Sequence, residues 1–193
     1  MSPLTTGRRP ANVEVIDRPF SQLTLTPVTV KTLAISLSLF LASCISAPNN
    51  APWSGVVDEL DPRTAKVRAM CDAYFVNDMD SWAQHFADDA TASVNDVGYT
   101  IAELKTTFGA GHALFTDITH EDVTCTTMRY NNGEVFTNYW YVWSGTVRST
   151  GEQLKIKGYA WFRWEGEQIV EFFNGADPTR YNEAAASSAA EIK

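Results

Sequence analysis

Residues 159–174 read YAWFRWEGEQIVEFFN and place six aromatic rings in sixteen positions. Glu165 and Gly166 interrupt the run with a composition typical of a turn, so the stretch predicts two paired strands. The rings fall on both alternating faces of these strands. A sheet in a small domain normally needs one apolar face for its core and turns the other face toward water. The second aromatic face therefore requires an explanation of its own.

The charged residues of this segment indicate which face is which. Between residues 154 and 174 they occupy odd positions, namely Lys155, Lys157, Arg163, Glu167 and Glu171. Because side chains alternate along a strand, the odd positions are predicted to form the outer face. The opposite face is predicted to point toward the helices and comprises Leu154, Ile156, Ala160, Phe162, Trp164, Val170, Phe172 and the polar Asn174.

The predicted outer face also carries Tyr159, Trp161, Ile169 and Phe173. An aromatic side chain has about 150–250 Å² of surface, and apolar surface left in water costs about 25 cal/mol per Å². We therefore expect a partner surface to cover this cluster. The alternative is cover by the chain's own tether or C-terminal residues.

Composition limits the classes of partner. The chain has 193 residues, of which 20% are charged, and a net charge of −8. These values predict one globular domain with additional segments. An acidic surface without a Lys/Arg cluster repels phosphate backbones, so no nucleic-acid partner is expected.

The N-terminal region has the pattern of an export segment. Twelve uncharged, mostly apolar residues follow Lys31 and lead to Cys44, a run that is short for a membrane span. The tetrad at residues 41–44, LASC, resembles a bacterial lipobox, whose cysteine becomes the lipidated first residue of the mature protein. The resemblance implies a signal segment at 1–43, a lipid-anchored tether at 44–60, and a location in the cell envelope with the domain outside the cytoplasm. A buried core helix that ends in cysteine is the alternative.

If Cys44 is lipidated, Cys71 and Cys125 remain. In an oxidising compartment two cysteines either pair or stay as thiols, and the sequence does not show whether they lie within bridging distance. Their apolar neighbours favour free, buried thiols.

Helices are predicted at the start of the folded domain. Asp61 and Pro62 suit an N-cap and a first helical position. An apolar stripe follows at helical spacing, formed by Val67, Met70, Cys71, Tyr74 and Phe75. Thr100 and Glu103 form a capping box that opens a third helix. A short second helix is predicted between these two, with three side chains on one side: Trp82, His85 and Phe86.

The second half of the domain predicts strands. Residues 121–130 and 134–147 are β-rich and are joined by Asn131, Asn132 and Gly133, which readily form a tight hairpin. Helices followed by an antiparallel meander define an α+β fold.

Three segments resemble one protein family in their order and spacing. They are VNDMDSWAQHFADDAT at 76–91, ALFTD at 113–117 and KGYAWFRWEGEQIVEFFNGADP at 157–178. On these segments, residues 61–183 resemble the cone-shaped fold of nuclear transport factor 2, ketosteroid isomerase and the SnoaL-like polyketide cyclases. The resemblance implies a curved antiparallel sheet that encloses a conical cavity with three N-terminal helices. It also implies a homodimer through the outer sheet face at Tyr159, Trp161 and Phe173. Residues 184–193 are predicted to be a frayed helix or a flexible tail.

Few of the family's catalytic residues are present at the matching positions of this chain. The positions of the ketosteroid isomerase acid–base residues fall on Met70, Val94 and Ala160, none of which can perform that proton transfer. SnoaL-like cyclases often have an acid where this chain has Asn174, and an amide binds a carbonyl without shuttling a proton. Asp177 matches the family pattern, although it is also a suitable residue to end the strand.

The remaining acid–base candidates are His85, His112 and His120. Each has a second interpretation: a core histidine for His85, a solvated loop histidine for His112, and a charged strand edge for His120 beside Glu121 and Asp122. The sequence has no HExxH motif or paired CxxC motif, so neither a metal nor a cofactor is predicted. A ligand pocket is predicted from the aromatic positions and one amide: Trp82, Phe86, Phe162, Trp164, Phe172 and Asn174.

Two functions follow from this pattern. The preferred one is a membrane-anchored lipoprotein that binds a small hydrophobic molecule without catalysis, because the family's acids are missing. The alternative is a SnoaL-like isomerase, cyclase or dehydratase with a pocket histidine as acid or base. An enzyme requires at least one histidine at the cavity beside Asn174, so geometry distinguishes the two.

Overall fold

The structure is a computed structural model that describes residues 50–191, with side chains up to Ser187. The predicted export segment and Cys44 lie outside the described residues. Within this part of the chain, no helix is both long enough and apolar enough to cross a membrane.

Four helices are present in the described chain: α1 (Pro62–Phe75), α2 (Met79–Ala83), α3 (Ile101–Leu114) and α4 (Thr179–Glu191). The N-terminus of α1 is capped by Asp61, whose carboxylate accepts the main-chain N–H of Arg63 at 3.0 Å. The predicted capping box opens α3, where the hydroxyl of Thr100 accepts the N–H of Glu103 at 3.2 Å and the Glu103 carboxylate accepts the N–H of Thr100 at 2.8 Å. The arrangement differs from the predicted three N-terminal helices, because three short or medium strands are interspersed with α1 to α3 and α4 follows the sheet as a fourth helix.

Seven strands form one sheet in the order β1-β4-β5-β6-β7-β2-β3. Their bounds are β1 (Gly55–Asp58), β2 (Phe86–Val94), β3 (Val97–Tyr99), β4 (Phe115–Tyr130), β5 (Val135–Val147), β6 (Gln153–Glu165) and β7 (Gln168–Ala176). The antiparallel meander of β4 to β7 confirms the predicted α+β architecture. The sheet is not wholly antiparallel, however, because β2 returns beside β7 in the parallel direction.

The core lies between the inner face of the sheet and helices α1 to α3. Its fully buried side chains come from both layers and include Val67, Met70, Leu104, Phe115, Leu154 and Ile169. Burial of such side chains contributes about 1.5–3 kcal/mol each relative to exposure. Any cavity within the cone is therefore lined by side chains of the inner face of the sheet.

Ile169 was assigned to the outer face, and this assignment is wrong. Arg163 pairs with Glu171 but Trp164 pairs with Ile169, so Val170 is an extra residue on β7. A β-bulge of this kind reverses the alternation, and Ile169 therefore faces the core with no exposed surface. Strict alternation across 154–174 could not anticipate an inserted residue.

Three predicted boundaries also change. Helix α2 ends at Ala83, so His85 lies in the connection to β2 and Phe86 is the first residue of that strand. Residues 55–58, placed in the tether, form β1 because they pair with residues 127–130 of β4. The third concerns the tail, predicted as a frayed helix or a flexible segment: residues 184–191 continue α4, in keeping with the high helix propensity of their alanines.

Candidate functional site

The inner face of the sheet and the helices enclose an inner cavity of about 80 Å³. Beside it lies an outer cavity of about 390 Å³, bounded by the β2–β3 hairpin, α3 and the start of α4. Five residues line both cavities and therefore lie between them: Tyr74, Phe108, Tyr141, Trp143 and Asn174. The other residues that line the inner cavity are Cys71, Trp82, His120, Tyr139, Ala160, Phe162 and Phe172. Among these described lining residues, none carries an acidic side chain, lysine or arginine.

His120 lies on β4 and forms part of the inner cavity wall. Its Nδ1 lies 3.1 Å from the hydroxyl of Tyr139, and its ring stacks on Tyr141 with 4.1 Å between centroids. The ring of Phe75 meets the imidazole edge-on at 4.9 Å. Burial among these rings lowers the pKa of His120 to about 3, because the charged form loses its hydration. The imidazole is therefore neutral at physiological pH.

Asn174 lies on β7 and its amide is oriented by Tyr141. The Tyr141 hydroxyl donates to Oδ1 of Asn174 at 2.6 Å. The amide NH₂ group is consequently left to donate to another acceptor. The inner cavity thus presents an amide hydrogen-bond donor on a largely aromatic wall.

The hydroxyl groups of the wall are held in their neutral form. Burial raises the pKa of Tyr74 to about 12, and its hydroxyl accepts the indole N–H of Trp143 at 3.1 Å. Burial also raises the pKa of Tyr139 and Tyr141. The thiol of Cys71 has its pKa raised to about 12 by burial and is not a nucleophile at neutral pH. Cys71 and Cys125 are both free and buried.

Four of the predicted ligand-binding residues line the inner cavity: Trp82, Phe162, Phe172 and Asn174. Phe86 and Trp164 do not. Phe86 packs behind the wall against Trp82, with 5.1 Å between ring centroids. Trp164 is buried at the other end of the sheet, where its indole N–H donates to the hydroxyl of Thr137 at 3.0 Å. Alternation places all these side chains on one face but does not tell how far along the cone each of them lies.

Of the three histidines, all within the described chain, His120 alone lines the inner cavity. His85 is half-buried, and its main-chain carbonyl accepts the N–H of Ile169 at 2.8 Å. Its pKa is lowered by desolvation and by the nearby charge of Lys66. His112 packs edge-on against Tyr74 at 5.3 Å without lining the inner cavity, and desolvation lowers its pKa. The interpretation of His120 as a charged strand edge is therefore wrong.

Asp177 lies at the outer cavity and caps α4. Its carboxylate accepts the N–H of Thr179 at 3.0 Å and the hydroxyl of the same residue at 2.7 Å. These bonds lower the pKa of Asp177, so the group is an ionised cap. In α4, Tyr181 then packs on Phe115 at 4.8 Å and Trp143 at 5.8 Å, which brings the helix to the mouth of the cone.

Five aromatic wall residues were not predicted from the sequence: Tyr74 and Phe108 as cavity residues, and Tyr139, Tyr141 and Trp143 on β5. Their positions 139, 141 and 143 alternate, which is the signal for one strand face. Trp140 lies between them and points outward, so both faces of this strand are aromatic. Residue type alone did not show which face was internal.

Comparison with known families decides the identity of this fold. The sequence profile described as SnoaL-like domain matches residues 67–172. The chain belongs to the SnoaL-like domain family. The predicted nuclear transport factor 2-like resemblance is thereby confirmed. The SnoaL-like domain of this chain contains every residue of the inner cavity wall except Asn174.

Two solved structures resemble the SnoaL-like domain of this chain. A candidate polyketide cyclase from Xanthomonas campestris pv. campestris has a TM-score of 0.50 and 19% identity, over 61% of this chain and 92% of that chain. A candidate isomerase from Bacillus subtilis has a TM-score of 0.52 and 14% identity, over 67% of this chain and 96% of that chain. At these identities the likeness concerns the fold alone. A comparison with curated protein sequences gave no significant match.

Proposed function

We propose that this protein binds a small, uncharged and largely apolar molecule that carries an oxygen acceptor. The observation that carries the proposal is the inner cavity, whose wall consists of aromatic rings and neutral polar groups and includes the oriented amide of Asn174. Transfer of a charged ligand into such a site is strongly unfavourable without an opposite charge. A carbonyl or hydroxyl oxygen, in contrast, can accept a hydrogen bond from the Asn174 amide.

Ligands of matched size test this proposal. The neutral bicyclic ketone 2-tetralone is larger than the inner cavity, so its ring system is expected to extend into the outer cavity past Asn174, which lines both. It is expected to bind, and the anion 2-naphthoate is not, when each is titrated calorimetrically into the full-length protein. Replacing Tyr141 with phenylalanine removes the hydroxyl that orients the Asn174 amide toward the ligand. Because one hydrogen bond contributes about 0.5–1.5 kcal/mol, the affinity for 2-tetralone should fall about two- to tenfold.

The matched control is Tyr159→Phe. Tyr159 lies on the outer face of the sheet and donates to the amide oxygen of Asn138 at 2.6 Å, the same bond as that of Tyr141 with Asn174. This variant should bind 2-tetralone as the original protein does. Equal binding of 2-naphthoate and 2-tetralone, or equal losses in the two variants, would contradict the assignment of the site.

A second function, acid–base catalysis, is favoured by one observation, the contact of His120 with Tyr139 at the cavity. If Nδ1–H donates to Tyr139, then Nε2 keeps a lone pair that can accept a proton. With a pKa of about 3 this imidazole is a weak base, and for that reason catalysis is the second candidate. A C–H proton next to a carbonyl would move to Nε2, and the resulting enolate oxygen would accept a hydrogen bond from Asn174. Return of the proton to a different carbon completes an isomerisation.

Proton exchange tests the catalytic alternative. In D₂O the protein should accelerate exchange of the α-protons of 2-tetralone, followed by NMR, and His120→Gln should return the rate to that of buffer. If 2-tetralone binds but exchanges at the buffer rate, the protein acts as a binding protein toward this probe.

We also propose that Cys44 anchors the protein to a bacterial membrane, with the domain outside the cytoplasm. The support is the hydrophobic run and the LASC tetrad. A lipid anchor places a protein that binds apolar molecules beside the membrane in which such molecules accumulate.

A homodimer through the outer sheet face completes the proposal. Trp161 stacks on Phe173 with 5.9 Å between centroids and meets Phe136 at 5.5 Å, while Trp140 stacks on Tyr159 at 5.1 Å. These contacts leave Trp140 43% exposed at the middle of the face. A second copy would bury this aromatic surface, as in interfaces enriched in tryptophan and tyrosine.

Cross-linking in membranes tests the dimer. Trp140→Cys should give covalent dimers with a bismaleimide, because the outer faces of two copies would lie together. Val76→Cys, at an exposed position at the C-terminal end of α1, is the control and should remain monomeric. Dimers from both variants, or from neither, would contradict this interface.

A further inference from the structure

Exposed apolar side chains are concentrated where the chain enters the domain. Trp53 is 65% exposed, Val56 and Val57 are each 58% exposed, and Leu60 is 90% exposed. They lie within eight consecutive residues that comprise β1, at one end of the sheet, and the turns on either side of it. We call this group the β1-edge patch.

The patch is held in place by the fold. Trp53 packs edge-on against Tyr130 at 5.3 Å, and β1 pairs with β4 over its whole length. The carboxylate of Asp58 accepts the N–H of Leu60 at 2.9 Å, which orders the turn that exposes Leu60. The exposure therefore belongs to ordered main chain.

Charge near the patch is balanced. Asp58 pairs with Arg129 at 3.4 Å, and Glu59 pairs with Arg68 at 3.6 Å. The protein surface around the patch is therefore close to neutral, because the acidic side chains beside it are paired with arginines. This holds even though the whole chain is acidic.

We propose that the β1-edge patch lies in the interfacial layer of a phospholipid bilayer and sets the orientation of the domain on the membrane. This inference rests on the proposed lipidation of Cys44. Nine positions separate Cys44 from Trp53, so Trp53, the first residue of the patch, lies no further than about 32 Å from the anchor. Tryptophan prefers the membrane–water interface, and leucine and valine gain from burial at its apolar side.

A second copy of the chain fits the patch less well than a bilayer does. Val57 lies opposite Met128, on the outer face, whereas Val56 lies opposite Arg129, on the other face. A flat partner on the outer sheet face would cover Val57 and leave Val56 and Leu60 exposed. A lipid interface is deformable and can surround both sides of a sheet edge.

Two matched cysteine variants test the orientation. Val57→Cys lies in the patch, and Val97→Cys lies on β3 at the opposite edge of the sheet, where Val97 is 54% exposed. Cys71 and Cys125 are buried with raised thiol pKa values, so a nitroxide label should react at the introduced cysteine. The full-length lipidated protein is reconstituted into phosphatidylcholine vesicles, and collision of each label with oxygen and with a nickel chelate is measured by EPR.

We expect the ratio of oxygen collisions to nickel collisions to be severalfold higher for the label at residue 57 than for the label at residue 97. Adding Leu60→Asp to the Val57→Cys variant should lower its ratio to the value at residue 97. Equal ratios in protein that floats with the vesicles would overturn the patch proposal and leave the anchor intact. Protein that does not float would overturn the anchor and this inference with it. Spin–spin broadening at residue 57 with low access to both reagents would show that a second copy covers the patch, which also overturns the proposal.

Discussion

Replacing Phe172 with alanine is expected to lower the free energy of unfolding by about 3–5 kcal/mol. Phe172 is 3% exposed and its ring lies 5.0 Å from that of Phe162, 5.9 Å from that of Phe86 and 6.0 Å from that of Trp82. Removal of this ring leaves a void next to the inner cavity that its rigid aromatic neighbours cannot fill. Urea unfolding of the full-length protein in detergent, followed by tryptophan fluorescence, measures the loss.

The neighbouring substitution Phe173→Ala is the matched control. Phe173 lies on the outer face of the same strand and stacks on Trp161, so its removal should cost only about 1 kcal/mol in the monomer. The two variants should be compared at two protein concentrations. If Phe173 lies in a dimer interface, the loss of stability in Phe173→Ala will depend on protein concentration. Equal losses that do not depend on concentration would contradict the assignment of inner and outer faces.

Acidification is expected to destabilise the protein through His120. The unfolded chain binds a proton at the ordinary histidine pKa of about 6.5, whereas in the folded protein burial lowers the pKa of His120 to about 3. Between these values the unfolded state holds more protons, so stability falls as the pH falls. From pH 7 to pH 5 this one group accounts for a loss of about 2 kcal/mol.

Variants isolate this contribution. His120→Gln should remove the largest part of the decrease between pH 7 and pH 5. His85→Gln should remove a smaller part, because the pKa of His85 is also lowered but its side chain is only half-buried. Exposed carboxylates with lowered pKa values, such as Glu167 and Asp177, lose their contributions mainly below pH 5 and affect all variants alike. The same pH decrease in the original protein and in His120→Gln would show that His120 is not buried as described.

The fold follows to a large extent from local patterns. The cap at Asp61, the capping box at Thr100 and Glu103, and the alternation in β6 are short-range signals, and each describes an element that is present. The errors are non-local. Strand β1, placed in the tether, forms because it pairs with residues about 70 positions later.

The site was predictable only in part. Phe162 and Phe172 were placed toward the cavity because alternation on β6 and most of β7 holds. The bulge at Val170 breaks that alternation for Ile169, and a bulge of this kind has no reliable sequence signal when neither residue is glycine. His120 was interpreted as part of a charged cluster with Glu121 and Asp122, yet β4 turns His120 inward while Asp122 remains exposed.

The sequence by itself determined the class of fold, the family and the neutral chemistry of the pocket, because caps, periodicity and residue types are properties of neighbouring positions. Only the tertiary structure decided that His120, and neither His85 nor His112, meets Asn174 and Tyr139 at one cavity. Those residues come from three strands, and their proximity depends on strand register and on the curvature of the sheet. The lowered pKa of His120 has the same origin, since desolvation depends on every ring that the fold packs around the imidazole.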